Sequence, residues 1–208
     1  MILAAALVLV SAAVVGLVGY PSLAASPWSA SSPSSARSAR PIPLRSHDGL
    51  PRDPHGAPDQ PEPGVPDGTT VFDHDVPAVA KLDPVLLSAL RRAATDAAAG
   101  HVHFYVNSGW RSRQEQERLF RGAVSKYGSK AQAARWVAVP GTSAHESGDA
   151  VDLGRSDATA WLSEHGATYG LCQVYRSESW HYELRPDAVR HGCPPMYPDP
   201  TQDPRMRG

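Results

Sequence analysis

Two short stretches of this chain have to meet, and that requirement narrows the folds open to it more than any other feature. The first is Ser143-Ala144-His145-Glu146-Ser147-Gly148-Asp149-Ala150-Val151-Asp152, and the second is Glu178-Ser179-Trp180-His181. Together they offer two imidazoles and a carboxylate, a set that suits Zn²⁺, which in catalytic sites takes about three protein ligands and keeps one position open. His145, Asp152 and His181 make up that set, and Glu178 is left beside it to handle a proton. His145-Glu146 does not begin an HExxH helix, because Asp149 stands where the second histidine would be needed. Pro140-Gly141 and Gly148 argue for a loop around His145, whereas Ala150-Val151-Asp152-Leu153 alternates as a short strand does. The expected fold therefore sets a histidine in a turn against an aspartate on the next strand, with a later strand alongside. Asp149 is the main rival ligand, and strand alternation gives it a place either behind the ligands or facing solvent.

A third block, Ser108-Gly109-Trp110-Arg111-Ser112 with Gln114, follows a strand pattern and falls in a loop, where functional groups concentrate. In order, this block, Ser-x-His-x-x-Gly-x-Ala-x-Asp from Ser143 to Asp152, and Glu-x-x-His from Glu178 to His181 resemble the zinc-dependent D-alanyl-D-alanine carboxypeptidases and dipeptidases of the VanY/VanX type. The resemblance extends over roughly 71–184. It implies a LAS-type metallopeptidase fold with one Zn²⁺ per chain, held by His145, Asp152 and His181. It implies that Glu178 is the catalytic base and that Arg111 contacts the substrate near the scissile bond. A guanidinium there serves either a developing oxyanion or a carboxylate, and lysine would be a poor substitute. It further implies that Ser143 and Gln114 line the substrate pocket, although by its chemistry alone Ser143 is equally a capping serine. The implied substrates are peptidoglycan stem peptides or muropeptide precursors ending in D-Ala-D-Ala. Trp110 stands where tyrosine is more usual in the family, and Ser179 where proline is frequent. A peptidoglycan endopeptidase cutting a bond such as L-Ala–D-Glu would use the same metal centre. A non-catalytic zinc-containing cell-wall module is the remaining alternative.

The other parts of the 208 residues frame this site. Residues 1–24 form an apolar run closed by small residues, which reads as an export signal or an N-terminal membrane anchor, so the remainder is expected outside the cytoplasmic membrane. Residues 25–70 are rich in Ser, Pro and Ala and then in Pro, Asp and Gly, the composition of a flexible tether. A zinc peptidase domain is expected over 71–198 and a disordered tail over 199–208. The net charge of −1, without a basic run, gives no support for nucleic-acid binding.

Within the domain, Asp83-Pro84 opens a helix that runs to Gly100, followed by a strand over 101–107. His101 and His103 share a face of that strand and read as its polar side rather than as ligands. Helices are expected over 114–124, 129–138 and from Asp157 to Gly166. Strands over 169–175 and 180–184 then form a hairpin that carries Glu178 near its loop. Cys172 and Cys193 are the only cysteines, and in an exported chain they are expected to pair. The fold class that follows is α+β: helices packed on a small, mainly antiparallel sheet whose central strands bear Asp152 and His181.

Overall fold

A proline at the first helical position and an aspartate before it start the longest apolar helix of the domain. The Asp83 carboxylate accepts from the amides of Val85 and Leu86, satisfying donors that the first turn leaves open. The structure, a computed structural model, describes residues 62–206. Along the chain come α1 (Pro77–Ala80), α2 (Pro84–Ala98), β1 (Tyr105–Ser108), α3 (Arg113–Tyr127), α4 (Lys130–Ala133), α5 (Ala144–Ser147), β2 (Ala150–Gly154), α6 (Ser156–His165), β3 (Leu171–Gln173), β4 (His181–Leu184) and α7 (Ala188–His191). Two 3₁₀ turns, Pro200–Gln202 and Pro204–Met206, follow.

The four strands form one antiparallel sheet in the order β1-β2-β4-β3. Side chains alternate across the pleat, so the sheet has two chemically distinct faces. Val151, Leu153 and Tyr182 turn to one face and pack with Leu86, Leu90 and Ala93 of α2 and with Ala158 and Leu162 of α6. These residues are almost wholly enclosed, and trimming one of the leucines to alanine would cost about 2–5 kcal/mol. The opposite face carries Ser108, Asp152, His181 and Glu183. Registration makes the site: Ser108 pairs with Asp152, and Asp152 pairs with His181. The three side chains therefore stand in one row across three strands. A smaller cluster of Phe120, Ala123 and Ala133 holds α3 to α4 beside this face.

The α+β architecture and the β3–β4 hairpin, with Glu178 in its connection, agree with the sequence reading. Several boundaries do not. Residues 62–70, assigned to the tether on composition, include a clip on the edge of β1: the Val106 amide donates to Thr69 O at 2.8 Å, and Thr70 bridges Tyr105. The loop expected around His145 contains the single turn α5, capped by Ser143 and ended by Gly148 at φ 82. The helix expected over 129–138 is reduced to α4, and the strand expected from residue 101 begins at Tyr105.

The tail after residue 198 is not frayed up to Met206. Asp203 is fully buried, and Arg205 reaches Glu183 with Nη1 to Oε2 at 2.6 Å. Cys172 and Cys193 are joined in a disulfide with Cα atoms 5.6 Å apart, which fastens the tail's path to β3. The Tyr197 amide adds a further bond to Val174 O. The signal or anchor expected over 1–24 and the tether up to 61 lie outside the described residues. Among the described residues no helix is long and apolar enough to cross a membrane.

Candidate metal centre

The cross-strand pair Asp152–His181 brings a carboxylate against an imidazole, with His181 Nδ1 at 3.1 Å from Asp152 Oδ1. The turn α5 swings His145 over the same carboxylate, placing Nε2 at 3.4 Å from Asp152 Oδ2. One donor atom from each of the three residues lies within 4.8 Å of the others, and all three residues are buried. Such a set could hold a metal ion.

Its surroundings fit that use. His145 Nδ1 faces Gly109 O at 2.8 Å, and His181 Nε2 faces Glu183 Oε1 at 3.2 Å. Each ring is thus oriented from behind, with its other nitrogen turned to the shared centre, as metal-ligating histidines usually are. Glu183 is in turn held by Arg205 and by Arg185, whose Nη1 lies 2.9 Å from Oε2. Two imidazole nitrogens and one carboxylate oxygen suit zinc.

Electrostatics tie the group together. Burial would raise the Asp152 carboxyl, but His145 and His181 overcome this and hold it well below the usual carboxylate range. Burial disfavours a charge on His181, yet hydrogen bonds to Asp152 and Glu183 push its pKa up to about 10. Glu178 behaves in the opposite way. It is 8% exposed, and burial pushes its pKa up to about 7 against the pull of His181 and Arg111. Its Oε2 is 3.7 Å from His181 Nδ1, at the edge of the three-donor centre.

Arg111 lies on the other side, with Nη2 at 3.9 Å from Asp152 Oδ2. Each nitrogen of its fork donates a hydrogen bond. Nε and Nη2 donate to Glu62 Oε2 and Oε1 at 3.0 and 2.6 Å, Nη2 also donates to Ser108 Oγ at 2.7 Å, and Nη1 donates to Gln116 Oε1 at 2.6 Å. Ser143 lies between the turn and the pocket. Its hydroxyl accepts from the His145 amide, and it also lines the pocket over the centre, a cavity of about 190 Å³.

Gln114 is not at the site. It is exposed on α3, while Gln116, two residues on, is buried and joins Arg111 to Ala138 O. Two residues turn a helix by about 200°, so the pair face opposite ways. Asp149 is exposed and accepts from Ser147 Oγ at 2.6 Å, which removes it as a rival ligand. His101 and His103 are exposed as well. The residues missed from sequence are Glu62, Gln116 and Arg205. A count of helical phase back from Phe120 could have found Gln116, since i and i+4 share a face. Nothing in the pattern around Glu62 or Arg205 distinguishes them.

A family model described as VanY: D-alanyl-D-alanine carboxypeptidase matches residues 79–187. A D-alanyl-D-alanine carboxypeptidase of Enterococcus faecalis is 32% identical over a stretch that covers 41% of this chain and 41% of the relative. The chain thus spans less than half the length of that curated relative. Among solved structures, a mutant of the vancomycin resistance D,D-pentapeptidase VanY from the VanB-type cassette, in complex with Zn(II), is 29% identical. That match covers 50% of this chain and 72% of the other, with a TM-score of 0.46. VanYB in complex with D-alanine-D-alanine is 27% identical, covering 53% and 74%, with a TM-score of 0.49.

Proposed function

Since the chain belongs to the VanY family of D-alanyl-D-alanine carboxypeptidases, we propose that it is a zinc peptidase that removes the C-terminal D-alanine from peptidoglycan stem peptides. The observation that carries this reading is the convergence of His145, Asp152 and His181 with a buried glutamate at their edge. Zinc bound there supplies a Lewis acid that polarises the scissile carbonyl and lowers the pKa of an attacking water toward about 7.

Glu178 moves the proton. With its pKa at about 7, its carboxylate accepts a proton from the attacking water at Oε2 and returns it to the leaving amine. Asp152 stays ionised throughout, because both histidines favour its charged form. Arg111 supplies a fixed cation beside the reacting carbonyl or the substrate's terminal carboxylate, and Gln116 and Ser108 hold its fork in place. Ser143 and Trp180 line the same pocket. The reaction takes place outside the cytoplasmic membrane, with residues 1–24 acting as a cleaved signal or a retained anchor. The disulfide between Cys172 and Cys193 suits that compartment.

The test is to incubate the zinc-loaded protein with a pentapeptide stem ending in D-Ala-D-Ala and to identify products by mass spectrometry. Loss of a single D-alanine, abolished by a chelator and restored by zinc, is the expected result. Cleavage at an internal bond would reassign the substrate to an endopeptidase. Firmly bound zinc with no cleavage of any muropeptide would overturn the reading.

A further inference from the structure

The carboxylate of Glu62 comes from a stretch that composition assigns to a linker, yet it sits in the wall of the pocket above the three-donor centre. It takes the Nε/Nη2 edge of Arg111 in a two-pronged contact and accepts from Ser108 Oγ at 3.0 Å. Arg111 is 7% exposed, and among the described residues it is the only arginine or lysine lining that pocket. The other acidic walls are Asp152 and Glu178, and the His181 ring is engaged by Asp152 and Glu183. A substrate with an anionic end thus meets one guanidinium, and that group already holds a carboxylate.

The attachment of Glu62 is local. Its amide donates to Asn107 O at 2.9 Å, and the next clip to the sheet is at Thr69. Most of the intervening backbone is exposed. Gly64, at φ 92 with open space around it, gives the strap a point about which to turn. Lifting the strap would break the carboxylate contacts while the pairing at Thr69 and Thr70 persists.

We propose that Glu62 is a built-in competitor for the substrate's anionic end: in the resting protein its carboxylate occupies Arg111, and a substrate carboxylate must displace it. The proposal rests on the peptidase reading for the identity of that substrate but not for the existence of the competition. Displacement exchanges one charge-assisted, bidentate contact for another, so the site selects ligands able to reproduce the same two-oxygen geometry. Neutral or amidated peptide ends gain nothing from lifting the strap.

The experiment compares the full chain with its Glu62→Gln variant, which keeps the shape and removes the charge. Steady-state kinetics on an acylated D-Ala-D-Ala peptide should give a KM about tenfold lower in the variant, from loss of one charge-assisted competitor. In parallel, calorimetry with N-acetyl-D-alanine, a carboxylate that undergoes no reaction, should show about tenfold tighter binding to the variant. That gain should vanish when Arg111 is also replaced by glutamine. A higher KM or a lower kcat in Glu62→Gln, with weaker binding of N-acetyl-D-alanine, would overturn the proposal and make Glu62 a positioning residue for Arg111. If neither protein cleaves the peptide, the carboxypeptidase reading fails and calorimetry alone decides. Tighter carboxylate binding by the variant then supports the competition, and equal or weaker binding overturns it.

Discussion

Glu178 bears a cost that its proposed role explains. In the folded chain burial keeps its proton on up to a pKa of about 7, whereas an ordinary glutamate releases it near 4.5. Between those values the folded state binds more protons than the unfolded one, so this group's contribution to stability falls as pH rises through that window. Above pH 7 the buried charge is a net cost. The metal-free Glu178→Gln protein should therefore be more stable than the wild type at pH 8 by about 1–3 kcal/mol. The two should converge near pH 4, as urea unfolding would register. The same variant should retain its zinc and lose about 10²–10⁴-fold in turnover. Turnover within about tenfold of wild type would remove Glu178 from proton transfer. The chemical types at this site were legible in the sequence, because histidine, aspartate and glutamate in two short blocks leave few other uses. The arginine's partners were not. The family resemblance points to Gln114, whereas the helical phase set by Phe120 marks Gln116. Glu62 stands among prolines and glycines with no period to mark it.

At the scale of elements, the ligand turn is held by its last residue. Gly148 ends α5 in the left-handed region, and its carbonyl accepts from the Asp83 amide at 2.9 Å, so α5 and the start of α2 are joined back to back. A Cβ on Gly148 would meet Lys81 O at 2.5 Å, on a backbone that alanine already resists at φ 82. Gly148→Ala should lower stability by about 2–4 kcal/mol in denaturant unfolding. It should weaken zinc binding as well, since His145 lies in this turn and Asp152 follows it on β2. Unchanged stability would mean that the turn rebuilds freely. The break at Gly148 was readable from the sequence, but the helical turn before it was not: four residues are too few for a 3.6-residue period to register. Helix α2 was legible from cap to end because its apolar spacing repeats over several turns and Asp83-Pro84 marks its start.

On the scale of the whole molecule, the site is supported from behind by residues far along the chain. His181 leans on Glu183, and Glu183, 1% exposed, is held by Arg205, which also pairs with the buried Asp203. Tyr175 joins the same group through its hydroxyl to Asp203 Oδ2 at 3.1 Å. Arg205→Ala should lower zinc affinity about 10–100-fold in a chelator competition, with partial recovery in Arg205→Lys. Unaltered affinity would reduce the tail to a cover. Composition missed this because a polar, proline-rich end lacks the apolar periodicity that marks packing, and here its hold on the domain is through charge and a disulfide. This arrangement also has a consequence in time. As the chain is made, the His145 turn and the Asp152 strand emerge well before His181, and the arginine that steadies His181 emerges later still. A nascent chain therefore carries two of the three donors before the third is made, and the centre is braced only once Arg205 has followed.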